Sequence, residues 1–191
     1  MAKLYKGNYL NGEIEIIDSV EVFQNQFIEI YNDKVRFPRG NYGSYIRINN
    51  PEPYSVAVLP LIDENTAVLI KTFRHGVRGW GYEVPKGGIK KGETSEEAAL
   101  RELLEETGYI TNKLIYLGEY SESPAIFSGL MNYYIASDCI KSEDVNCEET
   151  EAIAGICKFD IEAFFNRANK LDFKDAVTEF MILKYLQMKR G

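Results

Sequence analysis

Short runs of apolar residues, separated by turn residues, occupy most of the chain and predict strands. Strong strand formers such as Val56 and Val68 are concentrated in two neighbouring runs, and the polar turn 63–65 between them is typical of a hairpin. A further turn is predicted at Asn32-Asp33. The predicted strands are 13–17, 27–30, 34–37, 44–48, 54–61, 66–73, 113–120, 131–136 and 153–159.

The segment 94–107 has the clearest helical pattern in the chain. Thr94 is followed three places later by Glu97, which is the spacing of a capping box. Gly108 stands where helices commonly end on a glycine. Two further helices are predicted near the end of the chain, at 161–168 and 176–189.

The helix 94–107 carries two different groups of side chains. At about 100° per residue, one arc holds three leucines that we expect to face the core: Leu100, Leu103 and Leu104. The arc roughly opposite holds three carboxylates at spacing i, i+3 and i+4: Glu102, Glu105 and Glu106. Like charges at this spacing repel, and a bound divalent cation would reverse that cost. The alternative is an acidic face exposed to water.

A glycine-punctuated loop, 76–92, precedes the helix and favours the metal-binding interpretation. Gly87, Gly88 and Gly92 allow the backbone to approach a ligand closely. Arg101 is the one basic residue of the helix, and its place beside the carboxylates suits it to hold a neighbouring acid rather than a metal.

Composition narrows the class of protein. The 191 residues are 45% hydrophobic and 27% charged, which is enough for one sizeable core. The net charge of -7 is unfavourable for binding nucleic acid, although a divalent cation can join an acidic protein to an anionic nucleotide. No apolar run reaches the roughly 18 residues of a membrane span, and no signal-peptide core is present. We therefore expect a cytoplasmic protein without membrane partners.

The motif at 87–109 resembles the signature of the Nudix hydrolases. It reads Gly87, five residues, Glu93, seven residues, Arg101-Glu102-Leu103, one residue, Glu105-Glu106, one residue and Gly108. Members of this family cleave nucleoside diphosphates linked to another group, with Mg²⁺ or Mn²⁺ bound to these glutamates. The resemblance implies that the metal ligands are Glu102, Glu105, Glu106 and the backbone carbonyl of Lys86. It implies supporting roles for Gly87, Glu93, Arg101 and Gly108, with Glu93 paired to Arg101.

The regions around this motif resemble the ADP-ribose pyrophosphatase subfamily. The resemblance rests on Phe73-Arg74-His75, Trp80, the segment 82–87 and Ser123-Pro124. It implies substrate contacts from Arg74, Glu83, Trp80 and Pro124. The subfamily commonly has an acid a few residues after the Ser-Pro pair, where this chain has Gly129. A different nucleotide sugar or a differently shaped pocket therefore stays open.

Several assignments have alternatives. The resemblance makes Glu149 or Glu151 the base that activates water, but both also fit an exposed acidic loop. Arg74 and Glu83 could instead form an ion pair at a strand end. Phe27 could stack on adenine, although core packing is the favoured interpretation.

We expect an α/β fold, the Nudix α/β/α sandwich with a mixed sheet, over 51–191. An N-terminal antiparallel β extension, 1–50, is either a small subdomain or a dimerisation element, and the resemblance implies a homodimer. The expected reaction is Mg²⁺-dependent hydrolysis of ADP-ribose or a related nucleoside diphosphate sugar to a nucleoside monophosphate and a sugar phosphate. The alternatives are hydrolysis of a dinucleoside polyphosphate, NADH or an oxidised nucleoside triphosphate, and a Nudix-like domain that senses nucleotide sugars without cleaving them.

Overall fold

The computed structural model describes residues 4–50, 54–142, 152–164 and 172–190. They divide into two compact units. The first lies within 1–53 and 121–129, and the second lies within 54–120 and 130–191. The predicted helix 161–168 lies partly outside the described residues. Where the structure describes the chain, no helix is both long and apolar enough to cross a membrane.

The first unit contains a short 3₁₀ helix, Tyr9–Asn11, and an antiparallel three-stranded sheet. Its strands are β1 (Glu15–Gln24), β2 (Glu29–Arg36) and β3 (Tyr42–Asn49), in that order across the sheet. The segment 121–129 joins this unit: the Ile48 amide of β3 donates to the Ile126 carbonyl at 2.7 Å, and the Ser128 amide donates to the Ile48 carbonyl at 3.0 Å.

Two expectations about this unit are wrong. Asn32 and Asp33 lie inside β2 rather than in a turn. The buried Asp33 carboxylate accepts a hydrogen bond from Arg47 Nε on β3 at 2.8 Å, so a polar pair across strands replaces the expected break. Phe27 is 60% exposed in the bend between β1 and β2 rather than packed in a core. The Asn25 side chain accepts from the Phe27 and Ile28 amides and so stabilises this bend.

The second unit contains a seven-stranded mixed sheet and the two helices whose bounds the described residues give. The strands are β4 (Tyr54–Asp63), β5 (Thr66–Arg74), β6 (Gly79–Glu83), β7 (Lys86–Gly88), β8 (Tyr109–Ile110), β9 (Leu114–Tyr120), β10 (Leu130–Ala136), β11 (Ile140–Lys141) and β12 (Ile153–Asp160), and the helices are α1 (Ser95–Thr107) and α2 (Ala176–Arg190). The sheet order is β12-β5-β4-β10-β9, with β6 paired to β5 and β7 paired to β4. Strands β4 and β10 are parallel, and β8 pairs separately with β11.

Strand β4 shows why the fold has three layers. Val56 and Val58 are buried in one cluster with Leu103 of α1. The alternate residues of the same strand, such as Leu59, are buried in a second cluster with Met181 of α2. Both faces of the strand are therefore covered, which explains its nearly continuous apolar run. This arrangement confirms the expected α/β/α sandwich.

Helix α1 begins and ends as the sequence predicts. The Thr94 side chain accepts from the Glu97 amide at 3.2 Å, and the Glu97 carboxylate accepts from the Thr94 amide at 2.8 Å, which completes the capping box. Gly108 ends the helix at φ 66°, a left-handed conformation that glycine adopts without strain. The loop 76–92 before α1 contains β6 and β7, two short strands that its glycine-rich sequence did not indicate.

Candidate active site

The buried face of α1 carries two of the three glutamates. Glu102 and Glu106 are only 6% and 3% exposed, and they lie on the same side of the helix as the fully buried Leu103. Leu100, expected in the core, is instead 37% exposed, because Ala99 and its neighbours supply the apolar contact with the sheet. An acidic face turned wholly to water is therefore wrong for these two glutamates.

Arg101 binds Glu93, Glu102 and Glu105 through all three of its guanidinium nitrogens. Nε and Nη2 donate to the two Glu93 oxygens at 2.8 and 2.9 Å, and Nη1 donates to Glu102 Oε1 at 2.6 Å and to Glu105 Oε2 at 3.0 Å. Nη2 also donates to the Gly88 carbonyl at 2.9 Å. Hydrogen bonds from Arg101 lower the pKa of Glu93 to about 2, and the same bonds raise the pKa of Arg101. Three carboxylates on one guanidinium leave an excess of negative charge at this point of the loop.

Gly87 leaves the space that the Glu102 carboxylate occupies. A Cβ built at Gly87 would lie closer than 3.0 Å to both oxygens of Glu102, a separation that real side chains do not adopt. A side chain at this position would therefore displace the Glu102 carboxylate from the place where β7 passes the helix. Carboxylate and backbone oxygens of this kind are the ligands that Mg²⁺ prefers, so the residues fit a divalent cation.

The carboxylates are not preassembled around a cation position. Over 4–50, 54–142, 152–164 and 172–190, no group of three or more histidine, cysteine or acidic side chains is arranged to hold a metal ion. Arg101 binds Glu102 and Glu105, whereas Glu106 Oε2 accepts from the Lys86 amide at 3.1 Å. Cation binding by all three glutamates would therefore require their carboxylates to move toward a common point.

A cavity of about 370 Å³ lies beside Glu106. Its lining includes Arg74, His75 and Lys86, together with Ile153 at the start of β12. The cavity thus has a carboxylate and two cationic side chains at its edge, a combination suited to an anionic ligand that also carries a cation.

Four charged groups of alternating sign extend from this cavity. Arg74 donates from Nε and Nη2 to Glu83 at 2.9 and 2.6 Å, the Lys86 ammonium lies 2.9 Å from Glu83 Oε2, and it also lies 3.1 Å from Asp175 Oδ1. The bonds to Glu83 raise the pKa of Arg74. The strand-end ion pair considered for Arg74 and Glu83 is therefore present. The sequence did not single out Asp175, because its place directly before the helix 176–189 indicates only a helix cap.

The remaining assigned residues lie elsewhere. The Trp80 amide donates to Asp172 Oδ2 at 2.9 Å, and the Trp80 ring packs edge-on against Phe73 at a centroid distance of 5.4 Å. Trp80 does not line the cavity beside Glu106. Pro124 belongs to the first unit, where it lines a groove of about 280 Å³. Glu149 and Glu151 lie outside the described residues.

The fold and the glutamate-bearing loop and helix define a Nudix protein. A family model described as the NUDIX domain matches residues 51–179, so the chain belongs to the Nudix family. This match and the similarity to ADP-ribose pyrophosphatases identify the chain as a Nudix pyrophosphohydrolase.

Several characterised proteins are similar to this chain. An ADP-ribose pyrophosphatase of Bacillus subtilis is 28% identical over 94% of this chain and 95% of its own length. ADP compounds hydrolase NudE of Escherichia coli is 29% identical over 72% of this chain and 73% of its own. A methanol dehydrogenase activator of Bacillus methanolicus is 24% identical, with 94% and 95% covered. A crystal structure of an ADP compounds hydrolase has the same fold, with a TM-score of 0.82 at 24% identity over 94% of this chain and 95% of that one.

Proposed function

We propose that this enzyme uses Mg²⁺ or Mn²⁺ to hydrolyse the pyrophosphate bond of ADP-ribose or of a related nucleoside diphosphate sugar. The products would be a nucleoside monophosphate and a sugar phosphate. The observation that carries the proposal is the gathering of Glu93, Glu102 and Glu105 on the single guanidinium of Arg101, with Glu106 buried nearby. An excess of hard oxygen ligands beside a glycine backbone suits a divalent cation that is shared with substrate phosphates.

The proposed ligands are Glu102, Glu105 and Glu106, with the backbone carbonyl of Lys86. A bound divalent cation would neutralise charge on the pyrophosphate oxygens and acidify a bound water. Arg101 and Glu93 hold the loop and the carboxylates in place, and Gly87 leaves the space that Glu102 occupies. These supporting residues determine where the ligand oxygens lie. None of them has to gain or lose a proton in order to do so.

Arg74 is the proposed phosphate-binding residue. Its side chain is 46% exposed at the edge of the cavity, while Glu83 fixes the orientation of its guanidinium with three hydrogen bonds of 2.6–3.1 Å. A guanidinium held in this way presents donors to phosphate oxygens with little loss of side-chain freedom on binding. Substrate contacts from Trp80 and Pro124 stay predictions of the sequence, since neither residue lines the cavity beside Glu106.

The reaction adds one water across the P–O–P bridge. The water oxygen bonds to one phosphorus, the bond from that phosphorus to the bridging oxygen breaks, and the bridging oxygen leaves on the other phosphate. A base must take the proton of the water, and we propose Glu149 or Glu151 for this role.

A substrate panel tests the proposal. Purified protein is incubated with Mg²⁺ and ADP-ribose, other ADP-sugars, a dinucleoside polyphosphate, NADH or an oxidised nucleoside triphosphate, and the products are separated by chromatography. We expect AMP and ribose 5-phosphate from ADP-ribose, and no products after chelation of the metal. Preferential cleavage of NADH or the dinucleoside polyphosphate would replace the substrate assignment. Tight binding of ADP-ribose without any turnover would support the sensor alternative and contradict the proposal.

We further propose that the extension 1–50 forms a homodimer. Strand β1 exposes several apolar side chains, among them Val20, Val22 and Phe23. Light scattering on the purified protein tests this, and a monomeric mass at micromolar concentration would contradict it.

A further inference from the structure

Asp175 joins the start of α2 to the segment that leads into the glutamate-bearing loop. Its Oδ2 accepts from the Thr178 amide at 3.0 Å and from the Thr178 hydroxyl at 2.6 Å, which is the bonding of a helix cap. Its Oδ1 lies 3.1 Å from the Lys86 ammonium. Thr178 is fully buried, and its hydroxyl oxygen accepts from the Val84 amide at 2.9 Å. Both ends of segment 84–86 are therefore hydrogen-bonded to the start of α2, Val84 to Thr178 and Lys86 to Asp175.

Lys86 makes contacts in two directions. Its ammonium contacts Asp175 and Glu83, while its backbone amide donates to Glu106 Oε2 at 3.1 Å. The side chain is only 16% exposed. Burial lowers the pKa of this ammonium, but the carboxylates of Asp175 and Glu83 outweigh burial and the pKa stays above its usual value. The Lys86 side chain is therefore charged and held by two carboxylates, and the backbone amide of the same residue contacts Glu106.

We propose that Asp175 is a positioning residue for the metal ligand Glu106 and that it acts through Lys86. The Asp175 carboxylate fixes the Lys86 ammonium, the fixed lysine sets its own backbone amide, and that amide orients the Glu106 carboxylate toward the cation. This inference rests on the proposed function, because it takes Glu106, together with the backbone carbonyl of Lys86, as ligands of the divalent cation. Residues that orient a metal ligand commonly change metal affinity when they are replaced.

The competing explanation is that Asp175 is only a helix cap. Asparagine caps helices about as well as aspartate, so Asp175→Asn keeps the bonds to Thr178 and removes the charge that faces Lys86. Lys86→Met removes the ammonium but keeps the backbone amide that contacts Glu106. Asp160→Asn is a matched control, since the Asp160 carboxylate accepts from the Ala163 amide at 2.8 Å away from this site.

The test measures Mn²⁺ binding to the full chain without substrate, by electron paramagnetic resonance of the free ion. We expect Asp175→Asn to raise the Mn²⁺ dissociation constant roughly 10-fold and Asp160→Asn to leave it unchanged. Lys86→Met should raise it by a similar factor. The double variant should bind Mn²⁺ no more weakly than Lys86→Met alone, because Asp175 acts only through the lysine. Circular dichroism and thermal melts verify that each variant is folded.

Each outcome separates this inference from the proposed function. A wild-type chain that binds no Mn²⁺ would overturn the proposed function itself. If the wild type binds Mn²⁺ and folded Asp175→Asn binds it with the same affinity, only the role of Asp175 is overturned. The same holds if the two substitutions have additive effects on the Mn²⁺ dissociation constant in the double variant. If Asp175→Asn does not fold, Lys86→Met decides: unchanged Mn²⁺ affinity overturns the inference. If neither single variant folds, the Mn²⁺ affinity of the double variant, which removes both charges, is compared with that of the wild type. An unchanged affinity again overturns the inference.

Discussion

Arg101 in the middle of α1 and Glu93 before its first turn form a two-bond contact, Nε to Oε1 at 2.8 Å and Nη2 to Oε2 at 2.9 Å. Glu93 Oε2 also accepts from the Lys90 amide at 3.0 Å. The contact folds the end of the glycine-rich loop back along the helix. Arg101 is thereby fixed at the point from which its other nitrogen reaches Glu102 and Glu105.

This contact predicts a pH dependence of stability. The pKa of Glu93 is about 2 in the folded chain against an ordinary value of 4.5, so Glu93 binds a proton less readily when folded. Its contribution to stability is complete above pH about 4.5 and is lost as the pH falls toward about 2. We expect Glu93→Gln to remove that part of the acid sensitivity, as measured by urea unfolding between pH 5 and pH 2.5.

Glu122→Gln is the control for this experiment, because Glu122 is an exposed acid in the segment 121–129. It should unfold with the same pH dependence as the wild type. If Glu93→Gln and the wild type lose stability in parallel over the whole range, the pKa of Glu93 is not depressed in the folded chain.

Gly87→Ala should disturb the site more than the fold. The new methyl group would occupy the position of the Glu102 carboxylate, so Glu102 must turn away from Arg101. We expect a loss of about 10-fold or more in Mn²⁺ affinity, measured by titration, with a nearly unchanged circular dichroism spectrum. Gly76→Ala is the control, since a Cβ there would contact nothing within 4 Å. Wild-type Mn²⁺ affinity in Gly87→Ala would show that the position of Glu102 does not matter for the metal.

Gly129→Glu tests the departure from the subfamily pattern. A Cβ at Gly129 would lie closer than 3.0 Å to the Phe127 ring, so any side chain there must displace that ring. A glutamate would in addition bring a negative charge. Gly129→Ala separates the two effects, because it adds the bulk without the charge. We expect the glutamate variant to change the ratio of kcat/KM between ADP-ribose and the other substrates, beyond the change seen with alanine. Identical substrate profiles for the two variants would show that the missing acid is irrelevant and that only shape matters.

The parts of the fold that depend on local patterns could be predicted from the sequence. The capping box of Thr94, the glycine at 108 and the apolar run along β4 are set by neighbouring residues, and the structure has them as expected. The strand through Asn32 and Asp33 could not be predicted, because the partner that satisfies Asp33 is Arg47 on another strand. A local pattern does not contain such a contact.

The candidate site shows the same limit. The spacing of the box glutamates places them on α1, but a helical wheel does not say which arc meets the sheet, and Leu100 is exposed where Glu102 is buried. The contact between Lys86 and Asp175 joins residues 89 positions apart, and only the packing of α2 against the sheet brings them together. Sequence spacing therefore predicts the residue types of the site, and tertiary packing determines which of them touch.

The most direct test is the rate of ADP-ribose hydrolysis in Mg²⁺ by Glu105→Gln and Glu106→Gln, with Glu96→Gln on the exposed first turn of α1 as the control. Replacing a carboxylate ligand by an amide removes the charge that holds the cation but keeps the shape of the side chain. We predict that kcat falls by roughly two orders of magnitude or more in each box variant, with the fold retained, and that it is unchanged in Glu96→Gln. Turnover at the wild-type rate in folded Glu105→Gln and Glu106→Gln would contradict the account.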